Sequence, residues 1–219
     1  AASLGVASRH MRAIAAGLTD IGRERSLNED RFVLLPEFNV FVVADGIGGH
    51  SCGDLASQMV CSGFSSFFST ASKKSEPKEW SRRMSDHIHS IDSSVRARAA
   101  EDPACADMGT TLSSLLIVGG FGVIAHVGDS RIYRVRGDRL RQLTTNHTFV
   151  QEMIEEGELS RESAVNHPLR NVLTKAVGTQ EPLENIEIKV IAIKHGDRFL
   201  LASDGLHDMV TVADIEMIL

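Results

Sequence analysis

Val40-Phe41-Val42-Val43-Ala44-Asp45-Gly46-Ile47-Gly48-Gly49-His50, residues 40–50, is an apolar run that ends on a carboxylate and opens at once into glycine. Apolar residues bounded this way read as a buried strand with Asp45 at its end. The glycine beside it lets a backbone carbonyl approach a cation with no side chain in the way. The paired glycines also suggest a phosphate-cradling loop, but no Lys-Ser/Thr pair follows them, and that reading fails. The pattern returns later in the chain, where Phe199-Leu200-Leu201-Ala202-Ser203 leads into Asp204 and then Gly205. A single Asp-Gly after a strand is most simply a turn. Two of them, each delivered by a buried strand, can converge at one edge of a pair of sheets. Carboxylates held together repel unless a cation neutralises them, and hard oxygen donors suit Mg²⁺ or Mn²⁺.

More carboxylates lie beside strands. Asn28-Glu29-Asp30 precedes the run 31–35, and Asp129 sits in Val127-Gly128-Asp129-Ser130-Arg131 at another strand end. Alone, the first reads as a solvated loop and the second as a hairpin turn.

Outward from residues 40–50, the runs 14–19, 31–35 and 40–44 read as strands, and Pro36-Glu37-Phe38-Asn39 pairs the last two as a hairpin. Residues 53–68 read as a helix with Leu55, Met59, Val60, Phe64, Phe67 and Phe68 along one face. A polar linker at 69–76 leads to Pro77, which opens a second helix buried along Trp80, Met84, Ile88, Ile91 and Val95. The runs 110–118, 122–127 and 132–136, split by glycine turns, predict an antiparallel meander. Short helices follow at 147–156 and 161–166, then strands at 186–193 and 198–202 joined by His195-Gly196-Asp197. Thr211 opens a last helix, with Asp214 three residues on as a variant capping box. Strands and helices in separate runs predict an α+β fold, an antiparallel β-sandwich flanked by helices.

The 219 residues suit one domain, and 42% hydrophobic with 24% charged residues is the balance of a globular protein. A net charge of -6 with no basic stripe argues against nucleic acid as a partner. Attraction for phosphate must then be local, from a bound cation or a placed arginine. Cys52, Cys61 and Cys105 are odd in number and lack CxxC spacing, which predicts reduced, intracellular thiols and a cytoplasmic protein. No run reaches the roughly 18–20 apolar residues of a membrane span. Residues 1–10 are small and irregular and, with Met11 next, read as an expression leader, leaving 11–219 for the domain.

Seven blocks in order resemble the PPM (PP2C-type) family of metal-dependent protein serine/threonine phosphatases, in its bacterial form. They are Thr19-Asp20-Ile21-Gly22, Arg25 with Asn28-Glu29-Asp30, Val43 through His50, Gly109-Thr110-Thr111, Val127 through Arg131, His167 through Thr174, and Ser203-Asp204-Gly205-Leu206. The resemblance runs from about Leu18 onward. It implies a β-sandwich with a binuclear Mn²⁺ or Mg²⁺ centre at one edge and hydrolysis of phosphoserine or phosphothreonine by a metal-activated water. Asp45 matches the bridging carboxylate, Gly46 a carbonyl ligand and Asp204 the second side-chain ligand. Glu29 and Asp30 match positions that act through metal-bound water, and Asp129 with Asp204 matches a third, weaker metal site. Arg25 matches the arginine that grips the substrate phosphate. His50 is a candidate proton donor, with a loop-ordering role as the alternative. The segment 146–171 resembles a mobile flap that influences substrate choice, and His167 in it touches either substrate or a structural partner. Phosphoproteins and an opposing serine/threonine kinase are the implied partners.

The family pattern closes with an Asp-Asn pair on a late strand, and that aspartate is a core ligand; no such pair occurs up to Leu219. The resemblance therefore implies a domain cut short at its C-terminus, lacking its last strands. The competing expectation is a degenerate member that binds a phosphoprotein without hydrolysing it. A binuclear metal nuclease would use similar carboxylates but fits neither the charge nor the blocks.

Overall fold

The computed structural model describes residues 13–48, 52–71 and 75–219; the expected leader at 1–10 and His50 lie outside them. Strand β1 (Asp30–Leu35) turns into β2 (Val40–Ile47), and the two pair antiparallel from Asp30↔Asp45 to Leu35↔Val40, the expected hairpin. Helices α1 (Cys52–Thr70) and α2 (Pro77–Glu101) follow. Pro77 stands in the first turn of α2, where its missing N–H costs nothing. The helix stops before Asp102-Pro103, because the residue ahead of a proline is steered to extended backbone, and Asp102 has φ -136° and ψ 110°.

Strands β3 (Gly109–Thr110), β4 (Leu112–Val118) and β5 (Phe121–Val127) come next, then β6 (Arg131–Arg136) and β7 (Arg139–Gln142). Two short helices, α3 (Phe149–Glu155) and α4 (Arg161–Ala164), lead to β8 (Glu187–Ala192) and β9 (Arg198–Ala202). The single turn α5 (Asp204–His207) and α6 (Val212–Ile218) complete the chain. Thr211 caps α6: its side-chain oxygen accepts from the Asp214 N–H and its hydroxyl donates to the Asp214 carboxylate.

The strands form two sheets, β1-β2-β4-β5-β8 with β3 attached to β2, and β7-β6-β9. The expected meander is thereby corrected: β5 and β6 are consecutive but lie in different sheets, and β8 and β9 part in the same way. A sandwich needs such crossings, and a turn length alone does not reveal them. The run 110–118 is also broken at Thr111, whose N–H and hydroxyl oxygen both bond to Asp45 instead of extending one ladder.

Alternate residues of β4 and β5 serve two cores. Leu116 and Val123 face α1 and α2 with Val60, Phe64, Phe68, Trp80, Met84 and Ile88. Leu115 and Ile124 face the smaller sheet, meeting Ile132, Phe199 and Leu201. Each such burial contributes about 1.5–3 kcal/mol, and Phe64→Ala would cost roughly 3–5 kcal/mol. The buried Asp92 of α2 accepts from the backbone N–H groups of Gly178 and Leu183 and from Arg96, which fastens the strap 176–183 over β3. Thr110 and Val177 then exchange both backbone bonds at 2.9 Å.

Residues 14–19 form no strand. Ile14 and Leu18 are exposed, and Gly17 lies so flat on the Phe32 ring that a Cβ there would come within 2.4 Å of it. The segment has apolar composition but no ladder partner among the described residues. It runs along a cleft of about 1210 Å³ that opens between the sheets, bordered by Leu34 and Phe41 on one side and Phe199 and Leu201 on the other.

Cys52 and Cys105 form a disulfide with their Cα atoms 5.4 Å apart, which corrects the expectation of three reduced thiols. They are 53 residues apart in sequence, so no local spacing announces the pair; the fold joins them by setting the start of α1 against the turn that follows α2. Cys61 is free and buried, and burial pushes its thiol up to about 12.

Candidate metal centre

Four strand ends carry the acidic residues to one edge of the sandwich. Asp30 and Asp45 are directly opposed in the β1–β2 ladder. Asp129 occupies the turn from β5 to β6, and Asp204 follows β9 as the first residue of α5. Each backbone is pinned. Thr111 N–H donates to the Asp45 carbonyl at 2.8 Å, the Thr110 hydroxyl donates to the same oxygen at 2.9 Å, and Asp45 N–H donates to Thr111 Oγ1 at 3.0 Å. Thr111 Oγ1 lies 2.7 Å from Ser130 Oγ, which ties β3 and β4 to the turn holding Asp129. That turn needs Gly128, whose φ is +102° and whose missing Cβ would stand 2.7 Å from the Thr111 side chain. His147 Nδ1 accepts from Gly128 N–H at 3.0 Å.

Gly46 has an equally specific reason to be glycine. A Cβ there would lie 2.2 Å from the Gly53 carbonyl oxygen, and its N–H donates to the Glu29 carbonyl at 3.2 Å. The first turn of α1 therefore presses backbone to backbone on the strand end, and the Ser57 hydroxyl donates to the same Glu29 carbonyl at 2.6 Å.

The electrostatics record the crowding. Burial first, then the charges of Asp30 and Asp204, push the Asp45 carboxyl up to about 9, and it shares hydrogen bonds with both neighbours. Burial and Asp204 push Asp129 to about 6. Burial, then Asp208, push Asp204 upward as well, while Arg25 pulls it down. Such a set of oxygen donors, each holding its neighbours' protons on, is relieved by a divalent cation. The chemistry of the donors fits that group, although among the described residues no three acidic or imidazole side chains are drawn tightly enough to enclose an ion as they stand.

The structure thus brings Asp30, Asp45, Asp129 and Asp204 together, with Glu29 on the adjoining loop. Arg25 is exposed, 3.9 Å from the Glu29 carboxylate and close enough for its charge to act on Asp204. His167 is not brought to the cluster by any contact the structure gives; its Nδ1 accepts from Leu169 N–H at 3.2 Å, closing its own turn. The segment's reach toward the site comes instead from Asn171, whose amide is 3.5 Å from the Asp208 carboxylate.

Sequence reasoning overlooked three contributors. Ser203 donates to Asp30 Oδ2 at 2.8 Å, Asp208 adds charge beside Asp204, and His147 supports the Gly128 turn. Only Asp208 had a readable signal, being four residues beyond Asp204 and so on the same side of a helical turn.

The chain is similar to known proteins over most of its length. A family model described as Protein phosphatase 2C matches residues 22–217. The chain is 36% identical over 204 residues to the serine/threonine phosphatase stp of Listeria innocua, covering 92% of this chain and 81% of that protein. Among solved structures, the Mycobacterium tuberculosis serine/threonine phosphatase PstP/Ppp superposes with a TM-score of 0.81 at 32% identity, over 90% of this chain and 81% of that one. The catalytic domain of PstP in complex with two manganese ions gives a TM-score of 0.77 at 30% identity, over 90% and 80% of the two chains.

Proposed function

Because the chain belongs to the protein phosphatase 2C family, and so is a metal-dependent protein serine/threonine phosphatase, we propose that Asp45, the Gly46 carbonyl and Asp204 hold its two core ions, Mn²⁺ or Mg²⁺. Glu29 and Asp30 act on the same ions through water, and Asp129 with Asp204 holds a third. The observation that carries this reading is the convergence of Asp30, Asp45, Asp129 and Asp204 on one edge of the sandwich, where burial and the charges of Asp30 and Asp204 push the Asp45 carboxyl upward. When bound, divalent ions at such a site lower the pKa of water into the neutral range and offset charge on phosphoryl oxygens.

The chain's own residues do the rest. Thr110 holds the Asp45 carbonyl and Thr111 its N–H, which fixes the orientation in which the Asp45 carboxylate would meet a cation. Arg25, exposed on the loop ahead of Glu29 and 3.9 Å from its carboxylate, carries the planar fork that would turn to take two phosphoryl oxygens. The departing serine or threonine oxygen takes its proton from His50 or from water. The flap 146–171 borders the site through Asn171 and Asp208, and with His167 it shapes the choice of phosphoprotein.

An opposing serine/threonine kinase and a cytoplasmic setting belong to the same reading, carried over from the family resemblance. The apolar cleft between β1 and β9 supports the expectation of further strands in this domain.

The test is hydrolysis of a phosphothreonine peptide by the chain with Mn²⁺, with EDTA, and with Asp45→Asn. Turnover that needs the metal and falls at least 100-fold in the variant is the expected result. Turnover insensitive to EDTA, or retained by Asp45→Asn, would overturn the assignment. Tight binding of the phosphopeptide with no turnover at any Mn²⁺ concentration would replace it with the binding-module reading.

A further inference from the structure

The bend that carries Gly46 is gripped from two sides. On one side is the start of α1, where a Cβ on Gly53 would lie 2.8 Å from the Gly46 carbonyl carbon. On the other is the loop leading from Cys105 into β3, where a Cβ on Gly48 would lie 3.0 Å from the Asp107 carbonyl oxygen. Gly109 and Thr110 then pair with Ile47 and Gly46. Cys52 belongs to the first side and Cys105 to the second, and their disulfide is the covalent link between them. A bond at this place fixes the spacing within which the Gly46 carbonyl is held.

We propose that Cys52 and Cys105 are a reversible thiol–disulfide modification site, and that its oxidised form holds the Gly46 bend in the geometry that accepts a divalent cation. The metal half of this proposal rests on the phosphatase reading above. The oxidant is a low-molecular-weight disulfide, RSSR. One cysteine thiolate attacks it and expels RS⁻, forming a mixed disulfide; the second thiolate displaces the remaining RS⁻ and closes the Cys52–Cys105 bond. Two protein thiols and one RSSR become one protein disulfide and two RSH, the two thiol protons leaving on the RSH molecules. A dithiol reverses both steps. Both sulfurs are buried, so exchange proceeds through local opening of this corner and is slow in the folded protein. Cys61, buried within α1 and α2 with its thiol pushed up to about 12, does not compete.

The experiment uses the full chain, oxidised with glutathione disulfide or reduced with dithiothreitol that is then removed. Differential alkylation with peptide mapping should find Cys52 and Cys105 joined in the first sample and alkylated in the second, with Cys61 unbonded in both. Mn²⁺ affinity by calorimetry should be roughly tenfold weaker in the reduced chain, the size of effect seen when support behind a metal ligand is lost. Cys105→Ser should bind Mn²⁺ like the reduced form under both treatments. Thiols that stay free in glutathione disulfide would overturn the site itself. Equal Mn²⁺ affinity in the two redox forms, with binding abolished by Asp45→Asn, would overturn the coupling and leave the phosphatase reading standing. No Mn²⁺ binding in any form would overturn both.

Discussion

The hydroxyl of Ser203 donates to Oδ2 of Asp30 at 2.8 Å, across 173 residues of chain, and so ties the first residue of β1 in one sheet to the end of β9 in the other. The bond sits where the two sheets bring their carboxylates together. Ser203→Ala leaves Asp30 without this donor and should lower stability by about 1–1.5 kcal/mol, read from urea denaturation. A midpoint unchanged within error would mean that solvent replaces the hydroxyl in full.

Asp45 predicts a pH dependence in the chelated protein. Its folded carboxyl is raised to about 9 from an ordinary value near 3.8. The folded state therefore holds a proton that the unfolded chain releases, and this stabilisation is complete below pH 3.8 and lost as pH rises through about 9. The melting temperature in EDTA should fall between pH 5 and about pH 9. Asp45→Asn should flatten that slope. An unchanged slope in the variant would assign it to other groups.

Mn²⁺ should reverse the alkaline loss. A cation that binds only the folded chain raises stability by about 2.7 kcal/mol at 100 times its dissociation constant. Protons should be released as it binds, which calorimetry in buffers of different ionisation enthalpy can count. Binding without proton release would contradict protonated carboxyls at the site.

His126 pulls in the opposite sense at acid pH. It is buried between Ser113 Oγ at 2.9 Å and the Thr145 carbonyl at 3.0 Å, and burial, then His147, lowers it to about 4 from an ordinary 6.5. Here the unfolded chain takes up the proton first, so stability is full above pH 6.5 and declines as pH falls through about 4. His126→Asn should weaken the protein at pH 7 yet reduce its acid sensitivity, as followed by circular dichroism.

The cleft between the sheets should bind an apolar fluorescent dye in the native state. Leu34 and Phe41 line one wall and Phe199 and Leu201 the other. Dye emission should rise without denaturant, and Leu34→Gln should reduce it several-fold. Emission unaffected by that change would place the dye elsewhere.

Much of this was readable because period and punctuation agree with the fold. The stripe from Trp80 to Val95 is buried throughout on α2, Pro77 marks its start, and Pro36 through Asn39 make the hairpin turn. The strand-end aspartates were readable for the same reason, since an apolar run fixes where its last residue emerges. Sheet membership was not. The sequence between Val127 and Arg131 looks like any hairpin turn, yet it carries the chain from one sheet to the other. Nor was the Cys52–Cys105 bond, because a link between residues 53 apart depends on how two helices return on themselves. Residues 14–19 show the converse: strand-like composition guarantees no strand when no edge receives it.

The disulfide also gives the molecule a mechanical asymmetry. Both long helices lie inside the covalent loop it closes, so a force applied at the two ends of the chain passes through the bond and bypasses α1 and α2. Pulled by its ends, the oxidised chain would withhold the length of 53 residues, roughly 180 Å of extended backbone, until a reductant cut the bond under tension. The helical layer would be the part of the protein that load never reaches.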